Sequence, residues 1–337
     1  MAGKANLDAA RVAKNDEFYT QWNDIESEMQ AYLEYDPDVF RGKVVLLPCD
    51  DPEASNFTKY FALNFNKLGL KKLISTSYAP CRKGRIYVTE QGANLDDDAS
   101  LSKGYLKWDY LEGDGDFRSD EVTKLRNEAD VVITNPPFSL FREFLTWLVE
   151  GDVKFSVIGN MNAVTYKEIF PLIKDNKMWP GTAFNKTMEF AVPAGYYAAK
   201  DAELDKYGNR LVKVPAISWF TNIEHGRRHE FLKLMTMEDN LVYGSKKVRS
   251  AGYPNYDNYD AIEVPFTSGI PSDYEGVMGV PISFLGKYNP EQFEIVKFRH
   301  GDDGKDLGYT QEDGTYKTPY FRILIRHRNP ERREPGH

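Results

Sequence analysis

The sequence contains little cysteine and no long uninterrupted run of apolar residues. Cys49 and Cys81 are its only two cysteines, and they form no Cys-x-x-Cys pair. Two cysteines are too few for a disulfide framework, and no zinc site built on such pairs is indicated. The first residues, MAGKANLDAARVAKND, lack the apolar segment of a signal peptide, and no stretch reaches the roughly 18 apolar residues of a membrane-spanning helix. We therefore expect a cytoplasmic protein without membrane association.

An excess of positive charge is also missing. The net charge is -8, which is unusual for a protein whose affinity depends on neutralising phosphates. Basic residues are nevertheless concentrated in two runs. These runs comprise His225, Arg227, Arg228, His229, Lys233, Lys246, Lys247 and Arg249, and then Arg322, Arg326, Arg328, Arg332 and Arg333. Two interpretations stay open: the runs are solvated surfaces, or they supply local positive charge for nucleic acid.

Apolar runs alternate with amphipathic segments along the first half of the chain. With 41% hydrophobic and 28% charged residues, the composition is that of a globular protein. The runs 43–47 and 72–76 flank a helical segment at the spacing of a βαβ crossover. The runs 129–134 and 154–160 are each followed by another helical segment. This alternation predicts α/β architecture with a doubly wound, mostly parallel sheet.

The pattern changes toward the C-terminus. The runs EFAVPAG (189–195) and AISWFTN (216–222) predict an antiparallel pair that ends the sheet. After Asn222, tyrosine, proline, glycine and asparagine become frequent and helical periodicity fades. We therefore predict a first domain over residues 1–224 and a smaller, irregular one over 225–337. An acidic tip at 96–98 is predicted to lie in an inserted loop or hairpin.

The strongest chemical signal is the tetrapeptide Asn135-Pro136-Pro137-Phe138, which follows the predicted strand 129–134 and precedes a helix that Ser139 is expected to cap. Ligands of open α/β sheets bind beyond the carboxyl ends of the strands. An asparagine carbonyl and the Pro136 carbonyl can accept the two protons of an aromatic amine, while proline offers no competing N–H. Phe138 has a flat face for stacking a flipped base. A lone Asn-Pro-Pro is more often only a tight turn, but the strand, the aromatic residue and the helix around it favour amine methylation.

Further segments extend this signal over most of the chain. They are DEFYTQ (16–21), CDDPEASNF (49–57), LGLKKLIST (68–76), GDGDFRS (113–119), NPPFSLFRE (135–143), VIGNMNAVTYKEIF (157–170), YDNYDAI (256–262), GVMGVPISFL (276–285), KYNPEQFE (287–294) and PYFRILIR (319–326). With them, the chain resembles the adenine-specific DNA methyltransferases of the EcoRI modification methylase family. The resemblance implies an enzyme that uses S-adenosylmethionine (SAM) to methylate N6 of a flipped adenine, in a GAATTC-like palindrome of a restriction-modification system.

The resemblance also implies site residues. The NPPF tetrapeptide matches the catalytic motif, and Asn135 also borders the cofactor. Asp116-Phe117 matches the pair that reads the adenine of SAM, and Tyr19 and Thr20 match the motif that meets its methionine end. The cofactor residues expected from the remaining segments are Cys49, Asp50, Asp51 and Ser77.

Two departures from the family pattern leave questions open. The loop PCDDPEAS after the first strand contains no glycine, and either Asp50 or Asp51 is expected to bind the SAM ammonium. The second strand ends without the acid that usually holds the ribose, so a hydroxyl or a distant acid must replace it. Each of these residues also has a structural interpretation, since Asp116 suits a turn and Asp50-Asp51-Pro52 suits a helix start.

The predicted partner is double-stranded DNA, with no obligatory protein partner indicated. The residues expected to contact its phosphates are Arg227, Arg228, Lys246, Lys247 and Arg249. One alternative is an amino-methyltransferase acting on RNA or on protein glutamine, and another is a catalytically silent binding module. No metal is expected: His225 and His229 have helical spacing but no third ligand, and the acidic segment 302–306 lacks the closing glutamate of a calcium loop.

Overall fold

The structure, a computed structural model, describes residues 19–92, 106–192, 203–204 and 210–331. The predicted acidic tip at 96–98, residues 16–18 of the DEFYTQ segment and the arginines 332 and 333 lie outside these ranges. Contacts divide the chain into two units, one of residues 1–169 and 178–225 and the other of residues 170–177 and 226–337. Among the described residues, no helix has the length and apolarity needed to cross a membrane.

The described residues form eight helices and seventeen strands. The helices are α1 Trp22–Tyr35, α2 Asn56–Leu63, α3 Phe65–Leu68, α4 Asp120–Glu128, α5 Phe141–Glu150, α6 Phe170–Lys174, α7 Met237–Tyr243 and α8 Lys246–Ala251. The strands of the first unit are β1 Tyr19–Thr20, β2 Val44–Leu47, β3 Lys72–Thr76, β4 Arg85–Glu90, β5 Asp109–Tyr110, β6 Val131–Thr134, β7 Lys154–Asn160, β8 Trp179–Pro180, β9 Lys186–Val192, β10 Glu203–Leu204 and β11 Arg210–Thr221. Those of the second unit are β12 Ile262–Glu263, β13 Met278–Pro281, β14 Phe293–Phe298, β15 Tyr309–Thr310, β16 Tyr316–Lys317 and β17 Arg322–His327.

The first unit is built on one large sheet with the strand order β1-β9-β11-β7-β6-β2-β3-β4-β5. The four central strands β7, β6, β2 and β3 are parallel, whereas strands at both edges pair antiparallel. The predicted α/β class is confirmed, and so is the antiparallel pair of β9 and β11. Parallel pairing is limited to the centre, where β2 and β6 are buried along their whole length. Such burial on both faces explains their uninterrupted apolar sequence.

The helical segments of the first unit differ from the sequence pattern in two places. Tyr19 and Thr20 pair with β9, Thr20 opposite Phe190, and α1 begins after them at Trp22. The helical segment that follows the run 154–160 is predicted to cover residues 163–174. The segment 163–174 is not one helix, because a 3-10 turn over Met161–Thr165 ends before α6 begins at Phe170. Ser139 is not a cap but lies inside the 3-10 turn Phe138–Leu140. In each case tertiary pairing or a local turn overrides helical periodicity.

The second unit contains a four-stranded sheet of order β12-β13-β17-β14 and the hairpin β15-β16. Its interior holds an ion pair of Arg322 and Glu263, with 2.7 Å between Nη2 and Oε1. The α6 residue Phe170 stacks on Phe298 at 4.8 Å between ring centroids. The contacts group residues 170–177 with the second unit, whereas the predicted boundary between the domains lies at 224.

Candidate active site

A cavity of about 940 Å³ opens at the carboxyl ends of β2, β3 and β6, where ligands of α/β sheets bind. It has the size of a pocket for a large cofactor. Ten of the predicted site residues line it: Tyr19, Thr20, Cys49, Asp50, Asp51, Ser77, Asp116, Phe117, Asn135 and Pro137. Residues up to 118 positions apart in sequence therefore share one cavity, as the family resemblance implied.

The loop after β2 is closed by an aspartate instead of a glycine. Asp51 Oδ1 accepts hydrogen bonds from the backbone N–H groups of Glu53, at 2.9 Å, and Ala54, at 3.1 Å. This is the side-chain turn by which aspartate replaces a backbone turn. Asp51 Oδ2 also meets Arg85 Nη1 at 3.2 Å. These contacts fix the half-buried Asp51 carboxylate on the cavity wall. Because the Asp51 side chain stabilises the turn, the loop needs no glycine.

The neighbouring acid, Asp50, is in a different setting. Its side chain is 4% exposed, and its two oxygens accept hydrogen bonds from Ser55 Oγ at 2.6 Å and Thr134 Oγ1 at 2.5 Å. Burial raises the pKa of Asp50 to about 7, the two hydroxyl groups oppose that rise, and the Asp51 charge adds to it. Both carboxylate oxygens are thus engaged within the protein.

The end of β3 presents three hydroxyl groups with separate roles. Ser75 Oγ donates to the Asp50 carbonyl at 2.5 Å, and Thr76 Oγ1 donates to the Pro48 carbonyl at 3.1 Å. These two bonds hold the β2 loop against β3. Ser77 Oγ accepts from the Arg85 N–H at 3.1 Å and lines the cavity. Ser77 is therefore the hydroxyl of this strand end that a ribose can reach.

Gly115 brings the segment 113–117 against this strand end. Its φ of +82° is a left-handed conformation, and a Cβ there would lie 2.2 Å from the Ser77 carbonyl oxygen. Only glycine permits both the conformation and the contact. The next residue, Asp116, consequently faces the same cavity as Ser77.

Asp116 and Phe117 are held by different forces. The Arg118 side chain donates to both Asp116 oxygens, at 2.9 and 2.6 Å, and these hydrogen bonds lower the pKa of Asp116. Phe117 is buried and packs edge-on against Phe144 and Trp147, with centroids 5.0 and 5.6 Å away. The pair offers an ionised acid beside a rigid aromatic ring.

The NPPF tetrapeptide is only partly at the cavity. Asn135 is half-buried and lines the wall with Pro137, whereas Pro136 is buried behind it and Phe138 is absent from the lining. The Phe138 ring lies edge-to-face with Phe190, 6.2 Å between centroids, because the 3-10 turn directs it toward the core. In this conformation the structure does not offer Phe138 to a base in the cavity.

Thr20 supplies an independent sign that the cavity takes a polar ligand. It lines the cavity, is 3% exposed, and its hydroxyl has no hydrogen-bond partner in the part of the chain that the structure describes. A buried polar atom without a partner costs about 1–3 kcal/mol, so such groups usually meet a ligand or water. The Asn56 amide fixes the Thr20 backbone by donating to its carbonyl at 2.8 Å.

Two positively charged residues at the cavity were not predicted from the sequence as site residues. Arg82 and Lys83 are exposed, line the cavity and form no ion pair with any described residue. By contrast, the lining residues Arg85 and Arg118 are each paired with acids. The signal in the sequence was the run CRKGR at 81–85, which directly follows the second strand and its hydroxyl-rich end.

The predicted phosphate contacts divide into two groups. Arg227 is exposed, and so are the α8 residues Lys246, Lys247 and Arg249. Arg228 is different: it is 4% exposed and donates a hydrogen bond to the side chain of Asn176. The expectation that Arg228 contacts phosphates is therefore wrong for this conformation, because its guanidinium stabilises the interior of the second unit.

The two histidines considered as a metal pair have separate partners. The His225 Nε2 atom lies 2.9 Å from the Pro180 carbonyl oxygen, and the ring is buried. The His229 Nδ1 atom lies 3.2 Å from Glu291 Oε1. The spacing in sequence thus reflects two unrelated contacts.

Comparison with known proteins extends these observations. The chain matches the family described as adenine-specific methyltransferase EcoRI over residues 6–328. The Type II methyltransferase M.EcoRI of Escherichia coli is 46% identical to it over 337 aligned residues, which cover 96% of each chain. A Type II methyltransferase of Mycoplasma genitalium is 38% identical over 86% of this chain and 85% of its own. M.MpnI of Mycoplasma pneumoniae is 39% identical over 85% and 83%.

Proposed function

Because the chain belongs to the EcoRI family of adenine-specific methyltransferases, and is therefore a DNA adenine methyltransferase of the restriction-modification type, we propose how it acts. It transfers a methyl group from SAM to N6 of an adenine that is flipped out of a GAATTC-like palindrome. The observation that carries this proposal is the position of Asn135 on the wall of the cavity that also contains Asp51, Ser77 and Asp116.

The residues of the cavity suit SAM. The methionine end of SAM would meet Tyr19, Cys49 and the Thr20 hydroxyl, which has no hydrogen-bond partner among the described residues. The fixed Asp51 carboxylate would accept a hydrogen bond from the ammonium group. Ser77 would meet the ribose, and Asp116 with Phe117 the adenine. When bound, SAM supplies an electrophilic methyl group on a sulfonium.

Asn135 and Pro136 orient the target amine. The lone pair of an aromatic amine is delocalised into the ring, so the amine must be held by its two hydrogens while the nitrogen faces the methyl donor. The Asn135 side-chain carbonyl accepts one hydrogen. The backbone carbonyl of Pro136, a residue that is buried in this conformation, accepts the other once the base has entered. Since proline has no N–H, the site offers the amine acceptors alone. No protein nucleophile takes part, so neither cysteine is needed for the chemistry.

Phe138 requires a rearrangement before it can stack on the base. Its ring packs against Phe190, so stacking on a flipped adenine demands that the ring turn toward the cavity. The energy of such stacking, about 1–3 kcal/mol per base, is of the size needed to offset the few kcal/mol of unstacking.

The exposed cations supply the contacts to phosphates. Arg82 and Lys83 lie at the cavity itself, where the phosphates of an extruded nucleotide must approach. Arg227, Lys246, Lys247 and Arg249 add further positive charge in the second unit.

The test is methylation of duplex DNA with radiolabelled SAM, followed by nucleoside analysis. We expect label in N6-methyladenine for a duplex with a GAATTC site and none for the same duplex with that site scrambled. Plasmid isolated from cells that express the protein should resist a nuclease that cuts GAATTC. Label found only in RNA or in protein glutamine would refute the proposal.

Asn135→Ala provides the residue-level test. We expect turnover to fall by at least about 10²-fold, the size of losing one aligned polar group at a reacting centre, while SAM binding measured by titration stays within about twofold. The matched control is Asn66→Ala, which removes an exposed amide on α3 outside the cavity. Full turnover in Asn135→Ala would contradict the role given to this residue.

A further inference from the structure

Asp50 is the meeting point of three elements around the cavity. Its N–H donates to the Thr76 carbonyl of β3 at 2.9 Å. One carboxylate oxygen accepts from Ser55 and the other from Thr134, which belongs to β6. Protein groups thus occupy the Asp50 N–H and both of its carboxylate oxygens, and the residue is only 4% exposed.

The bond to Thr134 lies beyond the end of the backbone ladder between β2 and β6. The ladder between β2 and β6 ends at the pair Leu46 and Val132, so Thr134 extends beyond it. On its other side Thr134 still pairs with Val157 of β7. The side-chain bond to Asp50 therefore fastens the end of β6 on the β2 side, directly before Asn135.

The bond to Ser55 connects the same carboxylate to α2. Ser55 is the N-cap of this helix, since its Oγ accepts from the Phe57 N–H at 3.0 Å while its hydrogen is donated to Asp50. The first residue of α2, Asn56, in turn donates to the Thr20 carbonyl at 2.8 Å. Through Asp50, the strand end that bears Asn135 is joined to the part of the wall that bears Thr20.

We propose that Asp50 is a positioning residue, which sets Asn135 relative to the cofactor side of the cavity, and that Asp51 is the acid of this loop that meets SAM. This proposal rests on the role assigned above to Asn135. A shift of about 1 Å in a reacting group can lower the rate about 10²-fold. Loss of one hydrogen bond next to Asn135 can therefore slow methyl transfer. Asp51, half-buried and fixed by the loop backbone, lines the cavity, and its side chain has no hydrogen bond to β6 among the described residues.

The experiment separates positioning from ligand binding. Five variants are compared with wild type: Asp50→Asn, Thr134→Val, the double variant, Thr134→Ser and Asp51→Asn. SAM affinity is measured by titration and methyl transfer by single-turnover rate on a GAATTC duplex with saturating SAM. Thermal unfolding of each variant shows whether it is folded, and the pair Thr134→Val and Thr134→Ser keeps the test open if Asp50→Asn does not fold.

We expect Asp50→Asn and Thr134→Val each to lower the single-turnover rate about 10-fold or more, with SAM affinity within about twofold of wild type. The double variant should lose little more than either single one, because Thr134→Val removes the bond between Asp50 and Thr134 and Asp50→Asn weakens that same bond. Thr134→Ser keeps the hydroxyl and should retain the rate. Asp51→Asn should instead weaken SAM binding by about 10-fold or more, the effect of removing a charge-assisted hydrogen bond.

Three results would overturn the proposal. One is a weakened SAM affinity in Asp50→Asn with an unchanged rate, which would make Asp50 the ligand. Another is an unchanged rate in Thr134→Val, and the third is a double variant whose losses multiply. Failure of the function proposed above is recognised separately, because wild type would then place no label in N6-methyladenine of the GAATTC duplex. Failure of the role given to Asn135 would appear as full turnover in Asn135→Ala, whatever the Asp50 variants do.

Discussion

At the scale of single residues, the two adjacent acids of the β2 loop show how position decides chemistry. Asp51 is half-exposed and its carboxylate closes a turn, so it stays available at the cavity. Asp50 is buried between two hydroxyl groups, and burial raises its pKa from an ordinary 3.8 to about 7. A raised carboxyl pKa in the native state means that ionisation favours the unfolded chain.

This shift predicts how stability depends on pH. Between about pH 4 and 7 the unfolded chain has lost the Asp50 proton and the native protein keeps it, so the free energy of unfolding falls as pH rises, by up to about 1.4 kcal/mol per unit. Below pH 4 both states are protonated and above pH 7 both are ionised, so the effect ends at either side. We expect urea denaturation to show that the stability difference between wild type and Asp50→Asn changes across this window. A difference that is constant from pH 4 to 7 would show that Asp50 has an ordinary pKa.

At the scale of elements, the cavity depends on strand ends that are drawn together by turns. The β2 loop is closed by Asp51, the β3 end is bound to that loop by Ser75 and Thr76, and Gly115 lets the segment 113–117 approach Ser77. None of these turns is stabilised by a long regular element. The geometry of the cofactor side therefore depends on a few close backbone contacts.

Gly115→Ala tests this dependence. The substitution puts a Cβ into a left-handed backbone, which costs about 1–2 kcal/mol, and also 2.2 Å from the Ser77 carbonyl oxygen. The matched control is Gly92→Ala, at a φ of +91° with nothing within 4 Å of the added Cβ. We expect Gly115→Ala to lose more stability in thermal unfolding than the control, and SAM affinity as well. Equal losses in both variants would mean that the contact with Ser77 is unimportant.

At the scale of the whole molecule, the net charge of -8 repels DNA, so binding must come from local cations. The structure removes Arg228 from that group by burying it and adds Arg82 and Lys83 at the cavity. These two have no acid partner among the described residues, whereas Arg85 and Arg118 are neutralised by neighbouring carboxylates. Positive charge is thus present at the cavity, where we propose that the target nucleotide enters.

The double variant Arg82→Ala/Lys83→Ala is expected to weaken DNA binding and to lower the salt dependence of that binding. Each phosphate contact adds about 0.9 to the slope of log K against log salt concentration, so a loss of about 1–2 in slope is expected. SAM affinity should stay unchanged. Lys124→Ala, an exposed lysine on α4 outside the cavity lining, is the control. An unchanged slope with weakened SAM binding would show that the two cations serve the cofactor.

Local pattern was a good guide wherever burial alone decides the structure. The strands at 72–76 and 154–160 follow from apolar runs in the middle of a sheet, and the NPPF tetrapeptide was placed at a strand end for the same reason. The pattern was a poor guide where a turn interrupts a helix, as between Thr165 and Phe170, because helical periodicity continues across the break.

The amino-acid sequence by itself determined the α/β class and the family, and it predicted the residues at which we propose that the chemistry occurs, since these depend on residue type and on periodicities of a few positions. Only the tertiary structure decided that the Asp50 carboxylate is buried and bonded to Ser55 and Thr134 while Asp51 stays half-exposed at the cavity, that Thr20 belongs to a strand at the sheet edge, and that Arg228 is buried. The physical reason is that side-chain direction is set by partners far away in the chain. Asp50 and Thr134 are 84 positions apart, and no local pattern records that they are bonded.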